Sequence, residues 1–123
     1  MQVETPPLQV DINEVDGRDR GAVLRLSGEV DMATAPRLEA AFQELADRRL
    51  TELIVDASMV TFMDSTGLHA LVKGKRQVHE VGSSIAVVVS PPVRRLFELA
   101  FPESLFPVRV DTIEQAREAL GWS

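Results

Sequence analysis

Cysteine is absent from the 123 residues, which removes disulfide staples, thiolate zinc sites and cysteine nucleophiles together. That absence fits a reducing, cytoplasmic setting. Tyrosine is also absent and there are only two histidines, so few groups are suited to acid–base chemistry near neutrality. No hydrophobic run exceeds Ile85–Val89, far short of the roughly 20 residues that a membrane-spanning helix needs. The first seven residues carry neither a basic nor an apolar stretch, so no signal peptide is expected. Basic residues are in the minority as well. The net charge of −6 argues against direct binding to nucleic acid or to an anionic membrane surface.

What is present suits one globular domain. Hydrophobic residues make up 45% of the chain and charged residues 26%, enough for one core and too little for two. Residues 1–7 read as a loose leader and residues 8–123 as a single domain. Leu8, Val10 and Ile12 alternate with polar neighbours, the period of a half-buried strand. A polar turn from Asp16 to Gly21 leads to a second strand with Val23, Leu24 and Leu26. The connection is too short for a parallel crossover, so the two form a hairpin.

Beyond the hairpin, apolar periodicity switches between helix and strand. Leu38, Ala41, Phe42 and Leu45 fall on one helical face, with Pro36 in the first turn, where a missing N–H does no harm. Leu53-Ile54-Val55 reads as a strand covered on both faces. A helix from about Ser65 carries Leu68, Leu71, Val72 and Val78 inward; Gly74 weakens it slightly and Gly82 ends it. Ile85–Val89 is the next buried strand. Pro91 and Pro92 open a helix with Val93, Leu96, Phe97 and Ala100 on one face, and Pro102 ends it. Phe106, Val108 and Val110 make an edge strand, marked by Pro107. Ile113, Ala116 and Leu120 form a last helix capped by Asp111 or Thr112, with Glu114 in its first turn. The order ββαβαβαβα predicts an α/β fold with a mostly parallel sheet after an antiparallel start.

Phe62-Met63-Asp64-Ser65-Thr66-Gly67-Leu68 is the segment most suited to function. It follows a buried strand and opens a helix, where ligands and partners bind in such folds. Asp64 or Ser65 can cap the helix by accepting from an N–H two or three residues on. The Ser65 hydroxyl can also take a phosphate, which would face the helix dipole and its free amides. The two roles are compatible within one loop. Other candidates are weaker. His69 and His79 lie almost three turns apart on one helix and cannot share a metal. Ser65 lacks the Gly-x-Ser-x-Gly elbow of hydrolases, and no glycine-rich phosphate loop exists. Lys73, Lys75, Arg76, Arg94 and Arg95 read as solvated helix faces. Neither a bound metal nor a cofactor is expected, and an enzyme is not the expected class.

Four ordered blocks carry a family resemblance: Gly28-Glu29-Val30-Asp31 with Pro36 beyond it, Leu53-Ile54-Val55-Asp56 with Phe62 to Leu68, Ser90 to Phe97, and Leu105 to Val108. Together they resemble a STAS domain of the anti-anti-sigma factor family over roughly Leu8 to Leu120. The resemblance implies the STAS sandwich and a partner-switching regulator. Such a protein binds an anti-sigma factor when unmodified, releasing a sigma factor. The anti-sigma factor is commonly an ATP-dependent serine kinase, and its target in the motif corresponds to Ser65, with Thr66 as the alternative acceptor. A metal-dependent phosphatase of the PP2C type reverses the modification, and ATP and magnesium belong to the kinase.

By the same resemblance the partner surface includes Asp31, Met32, Ala33 and Thr34 together with Asp64, Ser65, Thr66 and Gly67. The chain itself is expected to be a monomer or weak dimer. The alternative reading keeps the fold without the switch, as a STAS subunit of a lipid-transport ABC system or a stressosome-type scaffold. Three positions depart from the family pattern: Thr66 replaces a frequent second serine, His69 a small residue, and Phe101-Pro102 a Thr-Gly or Ser-Gly pair. If the Leu38–Leu45 face is core, Phe42→Ala lowers stability by about 3–5 kcal/mol in urea denaturation; a near-neutral result would break that helix assignment.

Overall fold

The alternation at the start of the chain folds as strand β1 (Leu8–Glu14), paired antiparallel with β2 (Gly21–Val30) from Glu14↔Ala22 to Leu8↔Gly28. This computed structural model describes residues 8–79, 84–100 and 108–122. Helix α1 (Ala35–Asp47), strand β3 (Glu52–Met63), helix α2 (Ser65–His79), strand β4 (Ser84–Val89), helix α3 (Pro91–Ala100), strand β5 (Arg109–Val110) and helix α4 (Ile113–Ala119) follow. The sheet order is β1-β2-β3-β4-β5, and every pairing after the hairpin is parallel. The expected ββαβαβαβα α/β architecture is therefore the observed one. Gly82 and Pro102, read above as helix ends, and Phe106 and Pro107, read as part of the edge strand, lie outside the described residues.

Strand alternation divides the interior between the two faces of the sheet. Leu24, Leu53, Val55, Val87 and Val89 pack with Leu38, Phe42 and Leu45 of α1, Leu68 and Leu71 of α2, and Val93 and Phe97 of α3. Residues one step out of phase, Val23, Ile54, Ala86 and Val88, pack on the opposite face with Ala116 of α4 and Trp122. Helices α1, α2 and α3 pack together on the first face, and α4 covers the other. Thr112 caps α4: its hydroxyl accepts from the Gln115 N–H, and the Gln115 side chain accepts from the Thr112 N–H in return. That reciprocal arrangement satisfies two otherwise open donors.

Two features went beyond the sequence reading. Gly74 is a packing requirement rather than a weak point in α2. A Cβ placed there would lie 2.1 Å from Cδ2 of Phe42, so the missing side chain is what lets the aromatic ring of α1 rest on the α2 backbone. Strand β3 is also far longer than Leu53-Ile54-Val55. Its 12 residues run beside the 10 of β2, and the register shifts between Arg25 and Ser27 and again between Gly28 and Glu29. Each shift is a bulge that places one extra β3 residue against β2.

Both bulges have local causes. At the first, Asp56 Oδ1 accepts from the Ser58 N–H at 3.0 Å and from its hydroxyl at 2.6 Å, while Arg25 Nε stands 3.5 Å from Asp56 Oδ2. At the second, Gly28 adopts φ +114°, a conformation that side-chain-bearing residues rarely take. Gly74→Ala is expected to lower stability by about 3 kcal/mol by forcing the helices apart. Urea denaturation checks this, and an unchanged midpoint would show that α1 and α2 can separate without loss.

Candidate functional site

The carboxyl ends of β2 and β3 stand side by side, Val30 opposite Met63, and the two motif loops leave from them. At the end of β2, Asp31 and Thr34 engage each other. Asp31 Oδ1 accepts from the N–H groups of Ala33 (2.9 Å) and Thr34 (3.1 Å). The Thr34 hydroxyl accepts from the Asp31 N–H at 2.9 Å and lies 2.9 Å from the Glu29 carbonyl, to which it donates. The Asp31 carbonyl accepts from the Ala35 N–H and starts α1. Thr34 is buried, so it holds the turn rather than facing outward. The turn presents Ala33 and Met32 at its tip, with Met32 76% exposed.

At the end of β3 the Asp64 N–H donates to the Val30 carbonyl at 3.1 Å. Asp64 Oδ1 accepts from the Gly67 N–H at 3.0 Å, and the Asp64 carbonyl accepts from the Leu68 N–H. Asp64 is therefore the helix cap, which decides between the two candidates that the sequence left open. Gly67 is buried against β2; a Cβ there would stand 2.7 Å from both the carbonyl oxygen and Cγ1 of Val30. Ser65 is exposed at the first helical position, and its hydroxyl bonds no other described residue. Thr66 is half-buried beside it.

The arrangement leaves the Ser65 hydroxyl exposed at a helix mouth and unbonded to the described residues, with the capping work done by its neighbour Asp64. The structure brings all eight expected site residues to one end of the sheet. Of these, Met32, Ala33 and Ser65 are exposed, Asp31, Asp64 and Thr66 are half-buried, and Thr34 and Gly67 are buried. His69 is exposed one turn along α2 from Ser65; the His79 side chain lies outside the described residues.

Two exposed residues at this end were missed from sequence. Met59 is 62% and Phe62 48% exposed, because the bulges put Ala57, Val60 and Met63 inward at a spacing of three. A period of two cannot anticipate that. The only sequence signal is that Met59 to Met63 fits neither strand nor helix alternation. With Met32 they account for three of the four exposed large hydrophobic side chains among the described residues; the fourth is Leu99 on α3.

A family model described as Mlab, STAS domain matches residues 6–101. The chain belongs to the STAS domain family. Within it the relatives are anti-sigma factor antagonists. The anti-sigma F factor antagonist of Paenibacillus polymyxa is 31% identical over 88 residues, covering 70% of this chain and 75% of that protein. The anti-sigma-B factor antagonist of Staphylococcus aureus strain NCTC 8325 is 27% identical over 100 residues, covering 80% of this chain and 93% of its own length. Among solved structures, an anti-sigma factor antagonist from Mycobacterium paratuberculosis superposes with a TM-score of 0.82 at 29% identity, over 97% of this chain and 99% of that one.

The capping assignment gives a stability test at this STAS site. Asp64→Ala is expected to lower stability by about 1 kcal/mol through loss of the cap, and Ser65→Ala to stay within about 0.5 kcal/mol of the parent. Chemical denaturation of the two variants measures both, and the reverse ranking would reassign the cap to Ser65.

Proposed function

We propose that this chain is an anti-sigma factor antagonist switched at Ser65. Unphosphorylated, it binds an anti-sigma factor through the Met32 turn and the Ser65 helix mouth, and the sigma factor is released. Phosphorylation of Ser65 by an anti-sigma serine kinase ends that binding, and a phosphatase restores it. The setting is the cytoplasm, and the protein holds no cofactor of its own. ATP and its magnesium are the kinase's: the Ser65 oxygen bonds to the γ-phosphorus, its proton passes to a kinase base, and ADP leaves.

The observation that carries this reading is the division of roles between Asp64 and Ser65. Because Asp64 caps α2, the Ser65 hydroxyl is available to chemistry without loss of the helix start. A phosphate there adds about −1.5 to −2 charges. The helix terminus accommodates an anion, so the domain keeps its fold. A partner docked over Met32 and Phe62 would have to bury that charge beside the Asp64 carboxylate. Leaving a charge buried and unpaired costs several kcal/mol, and each ~1.4 kcal/mol is tenfold in affinity. The names of the relatives support a sigma-regulatory role over that of a non-switching transport or scaffold subunit.

The test pairs chemistry with binding. The purified chain, incubated with ATP and each purified anti-sigma kinase of its source genome, is expected to gain one phosphate, mapped by mass spectrometry to Ser65. Placement on Thr66 or Ser58 would overturn the assignment. Ser65→Glu is expected to weaken binding to the same unmodified partner at least tenfold while the melting temperature stays within about 2 °C, as for other surface substitutions. Unchanged affinity would favour the non-switching reading.

A further inference from the structure

Helix α2 is where the charge of the chain departs from its average. It holds Lys73, Lys75 and Arg76 and no aspartate or glutamate, in a protein whose net charge is −6. Its exposed residues are Ser65, His69, Lys73 and Arg76; every other described side chain of the helix is half-buried or buried. These four stand at i, i+4, i+8 and i+11. At 3.6 residues per turn that spacing gathers them within an arc of about 80° and a length of about 17 Å. The exposed face of α2 is therefore one ridge, which starts at the Ser65 hydroxyl and runs on into cations.

The neighbouring helix does not neutralise this ridge. Between α1 and α2 lies an open groove of about 360 Å³ lined by Glu39, Gln43, Lys73, Gly74, Arg76 and Gln77. Glu39 is the carboxylate there, 3.8 Å from the Lys73 ammonium, whose side chain stays 73% exposed. A solvent-exposed pair of that kind is weak. Gln43 is engaged with Gln77 at 2.6 Å and brings no charge. Arg76 forms no ion pair among the described residues. Cations near the end of a helix also suit its dipole, but that benefit does not depend on which face they occupy. Their alignment with Ser65 asks for a second reason.

We propose that the ridge from Ser65 to Arg76 is the track along which the anti-sigma serine kinase docks, through an acidic surface of that protein. The position of Ser65 identifies the occupant: whatever closes on its hydroxyl stands over this face, with His69 one turn and about 6 Å along the axis. An acidic surface is repelled by most of a chain of net charge −6, so the ridge also fixes the side of approach. Lys73 and Arg76 lie about 12 and 17 Å along the axis from Ser65, beyond the Debye length of about 8 Å in physiological salt. A phosphate on Ser65 therefore changes their field little, and the two ends of the ridge divide the work. The cationic end steers the encounter and orients the helix; the hydroxyl end decides whether the encounter closes. The inference rests on the reading of Ser65 as the switch of an anti-sigma factor antagonist, and it adds the surface and the charge by which the kinase is recruited.

Association kinetics and phosphorylation by the purified anti-sigma kinases test the ridge separately from the switch. In rapid mixing without ATP, Lys73→Glu and Arg76→Glu are each expected to slow association about three- to fivefold in low salt, and the difference is expected to shrink as salt rises. Lys73→Gln and Arg76→Gln, which remove charge without reversing it, are expected to act in the same direction with a smaller effect. With ATP, the doubly reversed variant is expected to raise KM for Ser65 phosphorylation about tenfold and to leave kcat unchanged. Arg20→Glu is the control, an equal charge change in the exposed hairpin turn at the opposite end of the sheet, and is expected to behave as the parent does. If the ridge variants associate and react like the parent while Ser65→Glu does not bind, the track lies elsewhere and the proposal falls with the switch intact. If Arg20→Glu slows association as much as Arg76→Glu, net charge is responsible and the proposal is overturned. If Arg76→Glu abolishes cosedimentation with phosphatidylglycerol vesicles yet associates with the kinase as the parent does, the ridge serves a membrane and the proposal is overturned. If the parent binds no anti-sigma factor, both readings fall together.

Discussion

The close seating of α2 on the end of β2 is the constraint on which the rest of the molecule turns. One carbonyl, that of Val30, receives the Asp64 N–H at 3.1 Å and also faces the bare Cα of Gly67. A side chain at Gly67 would push the helix mouth off the strand. The Asp64 cap would then lose its aim, and the loop carrying Ser65 would lose its fixed position. The same seating relates the two motif loops, since Val30 is followed directly by the Asp31 turn. Site geometry here is thus a product of backbone packing, with side-chain hydrogen bonds fixing each turn after the strands have set their distance.

Long β3 serves that seating. Its two bulges let a 12-residue strand follow a 10-residue one and still bring Met63 opposite Val30. The Asp56 carboxylate stabilises the first bulge through the Ser58 N–H and hydroxyl, and Gly28 permits the second. Bulged strands re-aim their side chains, and here the effect is to keep Ala57, Val60 and Met63 in the core while turning Met59 and Phe62 outward. The fold and the candidate docking surface are in this sense built by the same irregularity.

How much of this was legible beforehand depends on which physical signal each part leaves in the sequence. The element order was legible because Leu38 to Leu45 and Ile85 to Val89 carry unmistakable helical and buried-strand periods, and turn residues separate them. The helix mouth was legible because Asp64 to Gly67 combines short oxygen-bearing side chains with a glycine. The extent of β3 was not, since a bulge breaks the alternation that marks a strand. Gly74 was misjudged for a different reason: propensity reports what glycine costs an isolated helix, whereas its value here lies in Phe42, 32 residues away in the chain. The choice of Asp64 over Ser65 as cap was equally hidden, because both residue types serve and only the geometry of the Gly67 N–H selects between them.

The separation of capping from the exposed hydroxyl has an evolutionary corollary. A position that neither packs nor holds the backbone is exempt from the selection that guards the core, so its identity is free to drift under regulatory pressure alone. Lineages descended from such a domain could shed the control residue, exchange it for threonine, or fix a permanent negative charge there by a single codon change, and each descendant would inherit an undamaged scaffold.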